Sequence, residues 1–282
     1  MGESAGWLRY MLSIRLKEYE MEIIVCVKPV LDPDLPPAKF NIDPKKNSVI
    51  PPEGVPPVMN PYDALAVEAA LRIKEKHGGK ITAITVGDPS GEDILRKALA
   101  MGADEAVRVN ADALEESDGF SKAYLLSQAV RKIGAYDVIL CGRQSADWDL
   151  GVTGSIMAEY LGVPVLTRAR KIDAVDGKLN VERITAHGNE TYELDLPALI
   201  SISSEFGQAR IPTGWGIITA AKKPISQWTK DEMGIDVDKV SGRNVLLKLS
   251  ASSNERTCEF VKGENTAEAA TRLAQIISDM GK

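Results

Sequence analysis

The 282-residue sequence has three cysteines, two histidines and 5% aromatic residues, and its 34 Lys and Arg are outnumbered by 40 Asp and Glu. Each shortage excludes something. Cys26, Cys141 and Cys258 are scattered, and two of them fall inside predicted strands, so they read as small buried side chains rather than bridges or metal ligands. A reduced, cytoplasmic setting follows. His77 and His187 lie far apart without metal-ligand spacing, and no nucleophile pattern accompanies either, which leaves no self-contained hydrolytic site. The net charge of -6 argues against nucleic acid, whose phosphates require a basic face. No apolar run approaches the length of a bilayer, so no membrane span is expected. There is no Walker lysine motif and no G-x-G-x-x-G after the first strand, which disfavours a classical P-loop or dinucleotide enzyme.

What is present is organised around Tyr136 to Gly154. Its first half, dense in Val, Ile and Leu, reads as a buried strand ending at Gly142. A glycine-broken polar loop follows, then a helix in which Val152, Ile156 and Tyr160 share a stripe and Gly162 with Pro164 supplies the stop. Around this stretch, strand and helix alternate. Met21 to Val27 is a strand, the Pro-rich segment from Asp32 to Pro57 is irregular, and Phe40 to Ile50 pairs as a surface hairpin. Asn60-Pro61-Tyr62-Asp63 opens a helix with Asn60 as N-cap and a stripe of Ala64, Val67 and Leu71. Lys80 to Val86 is a strand, Ser90 and Asp93 resemble a capping box for a helix through Met101, Ala106 to Val109 is a strand, and Phe120 to Ile133 is an amphipathic helix. This spacing predicts an α/β fold, a parallel sheet flanked by helices. Residues 168–187 and 190–196 then alternate around Asp176-Gly177 and Gly188-Asn189, which predicts antiparallel hairpins, and Leu199 to Ile202 adds a short strand. Residues 203–224 read as irregular, with Phe206 and Trp215 either tucked into the core or reserved for a partner. The extended tail from 225 to 282 is expected to hold a short helix near Thr229 to Met233, a strand at Val245 to Leu249 and a final helix from Ala267 to Met280 capped by Thr266. Residues 1–20 are expected to be an N-terminal extension.

In an open parallel sheet, ligands bind outside the carboxyl ends of the strands. Three segments converge there: Val27-Lys28, Val86-Gly87, and the loop containing Gly142, Arg143, Gln144, Ser145, Asp147, Gly151, Val152, Thr153 and Gly154. Main-chain groups at strand ends suit an adenine edge, and Thr153 with the helix start suits phosphate. Lys28 and Arg143 are candidate phosphate partners or else solvent-facing. Asp147 and Asp149 form a candidate carboxylate pair, with ribose contact or capping as the alternative.

Several of these residues together resemble the beta (small) subunit of the heterodimeric electron-transfer flavoproteins. The resemblance runs from Met21 to about Lys223. It includes Val27-Lys28-Pro29-Val30, Asn60-Pro61 with Asp63-Ala64, Glu68-Ala69-Ala70, Gly142-Arg143-Gln144 with Asp147, the hairpin at Gly177 to Leu179, and Ala220-Ala221-Lys222-Lys223-Pro224. It implies a sheet of the adenine nucleotide alpha hydrolase type over residues 21–224, and an alpha-subunit partner that holds the electron-carrying FAD. Acyl-CoA dehydrogenases or related flavoenzymes would then exchange electrons with the pair. Cys26, Asn60, Asp63 and Gln144 join the cofactor-binding set on this basis, and residues 225–282 become an arm packing on the partner. By position, Phe206 matches the leucine of a recognition loop at 203–216 that inserts into the dehydrogenase, and Arg210 matches its nearby arginine, so Phe206 is expected to be an exposed anchor. Respiratory-type members carry Gln-Thr-Gly and bind a structural AMP, while bifurcating members carry Gln-Val-Gly and bind a second FAD. Val152-Thr153-Gly154 here keeps the threonine and lacks the glutamine, and Trp148 replaces a small or acidic residue. FAD-based bifurcation with NADH as donor is the alternative within the family. A free-standing ATP-binding stress-type protein is the alternative outside it.

Overall fold

After its first residue, every side chain of strand β1 (Glu22–Cys26) is buried. Helices cover both faces of the strand, which explains an apolar run without alternation. The computed structural model describes residues 20–36, 39–110, 118–175, 177–236, 240, 243–250 and 258–280. The expected N-terminal extension lies outside them except for Glu20. β1 is followed by β2 (Pro29–Val30), β3 (Asn41–Asp43), β4 (Ser48–Ile50), β5 (Val58–Met59), α1 (Pro61–His77), β6 (Lys80–Gly87), α2 (Gly91–Met101), β7 (Glu105–Asn110), α3 (Gly119–Ile133), β8 (Val138–Gly142) and α4 (Thr153–Leu161). Then come β9 (Val165–Val175), β10 (Lys178–Thr185), β11 (Gly188–Asp195), β12 (Ala198–Ile202), α5 (Gly214–Lys222), β13 (Ser226–Trp228) and α6 (Thr266–Met280).

The main sheet has nine strands in the order β11-β10-β9-β12-β8-β1-β6-β7-β13. Pairs from β9 through β13 along that order are parallel, whereas β9, β10 and β11 form antiparallel hairpins. The parallel α/β sheet with hairpins after it is therefore the observed fold. β2 and β5 pair separately, as do β3 and β4 in the expected surface hairpin. Ile23, Val25, Val138 and Leu140 face α1 and α2, while Ile24, Cys26, Ile139 and Cys141 face α3 and α4. Alternation along one strand thus serves two cores. Among the described residues, no helix is long and apolar enough to cross a membrane.

Several local expectations are corrected. Asn60 and Ser90 make no side-chain cap bond; Ser90 N and Oγ instead donate to Asp88 Oδ1. Thr266 is the first residue of α6, and Asn265 Oδ1 accepts from Glu268 N in the capping position. Residues 245–249 form no strand, and the acidic segment forms only a single 3-10 turn, Asp231–Met233. The region read as irregular contains α5, because Gly216 permits close approach: a Cβ there would lie 2.5 Å from Ala100 O of α2. Lys223 Nζ donates to Ala103 O at 2.7 Å, beyond the end of α2. The Ala-Ala-Lys-Lys stretch is accordingly a packing motif. β13 then adds to the sheet edge beside β7, so the sheet continues past residue 224.

Candidate functional site

The chain runs outward from β1 to β6 and β7, then returns to the other side of β1 at β8. This reversal opens a crevice between the carboxyl ends of β1 and β8, the place where open α/β sheets bind ligands. Asp63, in the first turn of α1, joins the two strand ends. Its Oδ2 accepts from Lys28 N at 2.8 Å and its Oδ1 from Gly142 N at 3.0 Å. Burial pushes the Asp63 carboxyl up to about 7, against hydrogen bonds from Asn60, Lys28 and Gly142 and the charge of Lys28. No side chain fits at Gly142, where a Cβ would stand 2.4 Å from Asp63 Oδ1. Asn60, 1% exposed, braces the loop: its Nδ2 donates to Gln144 O at 2.8 Å and its Oδ1 accepts from Ala146 N at 3.2 Å. Asn60 and Asp63 thus hold the walls of the crevice through main-chain groups.

The loop is further stiffened by Gln144 Nε2 donating to Asp149 Oδ1 and Asp149 N donating to Ser145 O. Asp149 and Gly151 carry positive φ, and a Cβ on Gly151 would lie 3.2 Å from Arg143 O. Arg143 N donates to Ile202 O, which aligns this loop with the segment leaving β12. Lys28 Nζ lies 2.5 Å from Asp147 Oδ2 and 3.4 Å from Ser145 Oγ. Burial acts to raise the Asp147 pKa, but the hydrogen bonds from Lys28, Ser145 and Trp148 and the Lys28 charge outweigh it and hold the carboxyl below its ordinary value. Gly87 opens the far wall, since a Cβ there would meet nothing within 4 Å; Val86 packs on the core beneath.

No side chain caps α4, and helix geometry leaves the N–H groups of Thr153, Gly154 and Ser155 without intrahelical partners. Gly154 itself faces the sheet. A Cβ there would stand 2.7 Å from Cys141 Sγ and 3.3 Å from Leu199 Cδ2, so this glycine is required for packing and an aspartate at that position would disturb the core. Cys26 and Cys141 lie buried beneath the crevice, and burial above all raises both thiols, Cys141 to about 12, so neither is a thiolate.

Sequence reasoning missed Lys122, in the first turn of α3. Its ammonium pKa is lowered, first by burial and then by Lys28, against the pull of Asp147, Asp118 and Asp88, which sets it among the charges of the crevice. A helix that follows a strand of a parallel sheet starts at the carboxyl edge, and that rule would have found it. Asp118 caps α3 through Phe120 N and Ser121 N and also accepts from Arg243 N and Asn244 N of the tail. Two ammonium groups and an uncapped helix start suit a phosphorylated ligand. Surface hollows of about 470 and 550 Å³ lie elsewhere, at the amino ends of the strands beside Tyr136 and His77, and lack this combination.

Phe206 does not lie on the surface. It is 8% exposed and packs in the core, with the Arg72 guanidinium 4.8 Å from its ring centre. A 3-10 turn, Ser204–Phe206, folds it inward. Arg210 is held on α1: its Nε donates to Glu68 Oε2 at 2.7 Å, and its guanidinium also binds Glu75. These bonds raise the Arg210 pKa. Burial acts to raise the Glu68 pKa, but Arg210 and Arg72 hold it below its ordinary value. The exposed apolar side chains of this region are Ile211, Trp215, Ile217 and Ile218, with Trp215 77% exposed. On α6, no residue is buried, and Leu273, Ile276, Ile277 and Met280 line one stripe at helical spacing.

The family model described as the electron transfer flavoprotein domain matches residues 48–233. The electron transfer flavoprotein subunit beta of Thermoanaerobacterium thermosaccharolyticum is 38% identical over 259 residues, covering 90% of this chain and 97% of that protein. Protein FixA of Azorhizobium caulinodans is 34% identical over 274 residues, covering 93% and 96%. The caffeyl-CoA reductase-Etf complex subunit CarD of Acetobacterium woodii is 38% identical over 216 residues, covering 76% and 80%.

Proposed function

Because the chain belongs to the electron transfer flavoprotein family, as a beta subunit, we propose that it works in a heterodimer whose alpha subunit holds the electron-carrying FAD. Electrons then pass between dehydrogenases of the acyl-CoA dehydrogenase type and a further acceptor or donor. In this chain an adenine nucleotide, AMP or a second FAD, occupies the crevice between β1 and β8. The arrangement carrying this reading is the Asp63 clamp, which holds Lys28 N and Gly142 N at fixed spacing beside the uncapped start of α4. Val27, Val86 and Gly87 border the base, and Lys28, Lys122 and Thr153 attend the phosphate. The flavin supplies the redox chemistry when bound. This chain's residues bind, orient and dock, and none is assigned a catalytic role.

The docking surface for the dehydrogenase lies on Ile211 and α5, with Phe206 and Arg210 fixing its base from behind. The apolar stripe of α6 serves the alpha subunit. Membership of the family sets aside the free-standing ATP-binding protein. Similarity to a subunit of a caffeyl-CoA reductase-Etf complex favours a second reading within the family, in which FAD fills the crevice and electrons bifurcate. Denaturing the purified heterodimer and identifying what is released tests both: AMP with one flavin supports simple transfer, two FAD support bifurcation, and no adenine compound in this chain would overturn the nucleotide reading.

A further inference from the structure

The main chain from Lys28 to Asn60 leaves the end of β1 and returns to the start of α1, and Asn60 N donates to Lys28 O at 3.0 Å, so both feet of this excursion stand in the crevice wall. It carries the β3–β4 hairpin, which pairs with no other strand among the described residues. At the end of the hairpin turn, Asn47 grips the tail: its Nδ2 donates to Leu246 O at 2.9 Å and its Oδ1 accepts from Leu249 N. Asp118 Oδ2 grips the same tail from the rim formed by α3 and α4, accepting from Arg243 N at 2.8 Å, Asn244 N at 3.0 Å and Asn244 Nδ2 at 3.2 Å. That rim adjoins the start of α4, because a Cβ on the next residue, Gly119, would lie 3.3 Å from Val152 Cγ2 and 3.8 Å from Thr153 Oγ1. The Arg243 guanidinium, 4.9 Å from the centre of the Phe120 ring, adds to the anchor. Resting on the reading of this crevice as a nucleotide site, we infer that residues 243–249 are a strap across its mouth, latched by the β3–β4 hairpin, and that the nucleotide leaves only when the strap lifts. The segment is built to open, since hydrogen bonds rather than burial hold it: Val245 is 78% and Leu247 90% exposed. It is also taut. Asn244 and Leu246 are separated by at most about 7 Å of extended chain, which leaves no slack to clear the mouth while both anchors are closed.

The rate at which the full-length chain releases a bound nucleotide tests the inference. The chain is loaded with fluorescent ethenoadenosine monophosphate and chased with excess AMP, or loaded with FAD and followed by the recovery of flavin fluorescence. Asn47 has a φ of 53°, in the left-handed region, so Asn47→Gly fits the turn and removes both latch bonds. Losing two neutral hydrogen bonds shifts the strap towards its open state, and release should be about tenfold faster than from wild type. Asp118→Ser keeps a hydroxyl to cap α3, frees the tail at the other anchor and should act in the same direction. Release at the wild-type rate from either folded variant overturns the inference and leaves the site in place. Failure of the folded wild type to bind either probe overturns the site reading itself, and this inference with it.

Discussion

Asp63 is the residue on which the ends of β1 and β8 meet, and it is nearly enclosed. Its folded pKa of about 7 lies above the ordinary aspartate value, so between the two the folded state binds a proton that the unfolded chain has released. By linkage, the stability this group contributes is fully present below about pH 4 and is lost as pH rises through about 7. Asp63→Asn carries no such titration. The wild type's stability relative to Asp63→Asn should therefore fall by a few kcal/mol from about pH 4 to about pH 8, measured by urea unfolding across that range. A difference that stays flat would mean the carboxyl titrates at its ordinary value, with its two main-chain donors compensating for burial.

At the scale of elements, the segment from Ser203 to Lys222 has an inward half and an outward half. Phe206, wedged beneath Arg72, belongs to the core, and Glu68 with Glu75 ties Arg210 to α1. Past that clamp, Gly216 seats α5 on α2, which turns Trp215, Ile217 and Ile218 to solvent. Phe206→Ala should then cost about 3–5 kcal/mol of stability through the cavity it leaves. Trp215→Ala should change stability by no more than about 0.5 kcal/mol, while removing roughly 2–4 kcal/mol of partner affinity. Thermal unfolding and dehydrogenase-linked flavin reduction, both with the alpha subunit present, separate the two. Normal transfer in a destabilised Trp215→Ala protein would remove docking from α5.

For the whole molecule, the nine-stranded sheet and its two helical layers account for nearly all the burial, and α6 contributes none. An amphipathic helix without a buried residue adds little to the stability of its own chain, because its apolar stripe still faces water. Deleting residues 258–282 should leave the melting temperature of the isolated chain within about 2 °C, since no core contact is removed. Co-purification with the alpha subunit should fall sharply. A truncated chain that unfolds at much lower temperature would place α6 in the fold itself, and one that still co-elutes fully would free it from the interface.

The amino-acid sequence by itself determined the layers. Apolar runs such as Ile23–Val27 and Val138–Cys141 can only be strands covered on both faces, and glycine or proline punctuation at Gly78, Gly102 and Gly162 closes the helices between them, so the parallel sheet and the crevice loop were legible. The resemblance supplied the family. What only the tertiary structure decided is the direction of individual side chains. Phe206 and Trp215 sit on the same segment with the same apolar chemistry, and the turn at Ser204 and the contact of Gly216 with α2 assign one to the core and the other to water. Asn60 has the local signature of a cap, yet its amide reaches the main chain of residues 144 and 146, distant in sequence. Gly154 reads as a phosphate-binding glycine, and the structure gives it a packing reason as well, because Cys141 and Leu199 stand where its side chain would be. Local sequence carries periodicity and turn chemistry, whereas the partner of a polar group or the neighbour of a Cβ is set by strands brought together across the sheet.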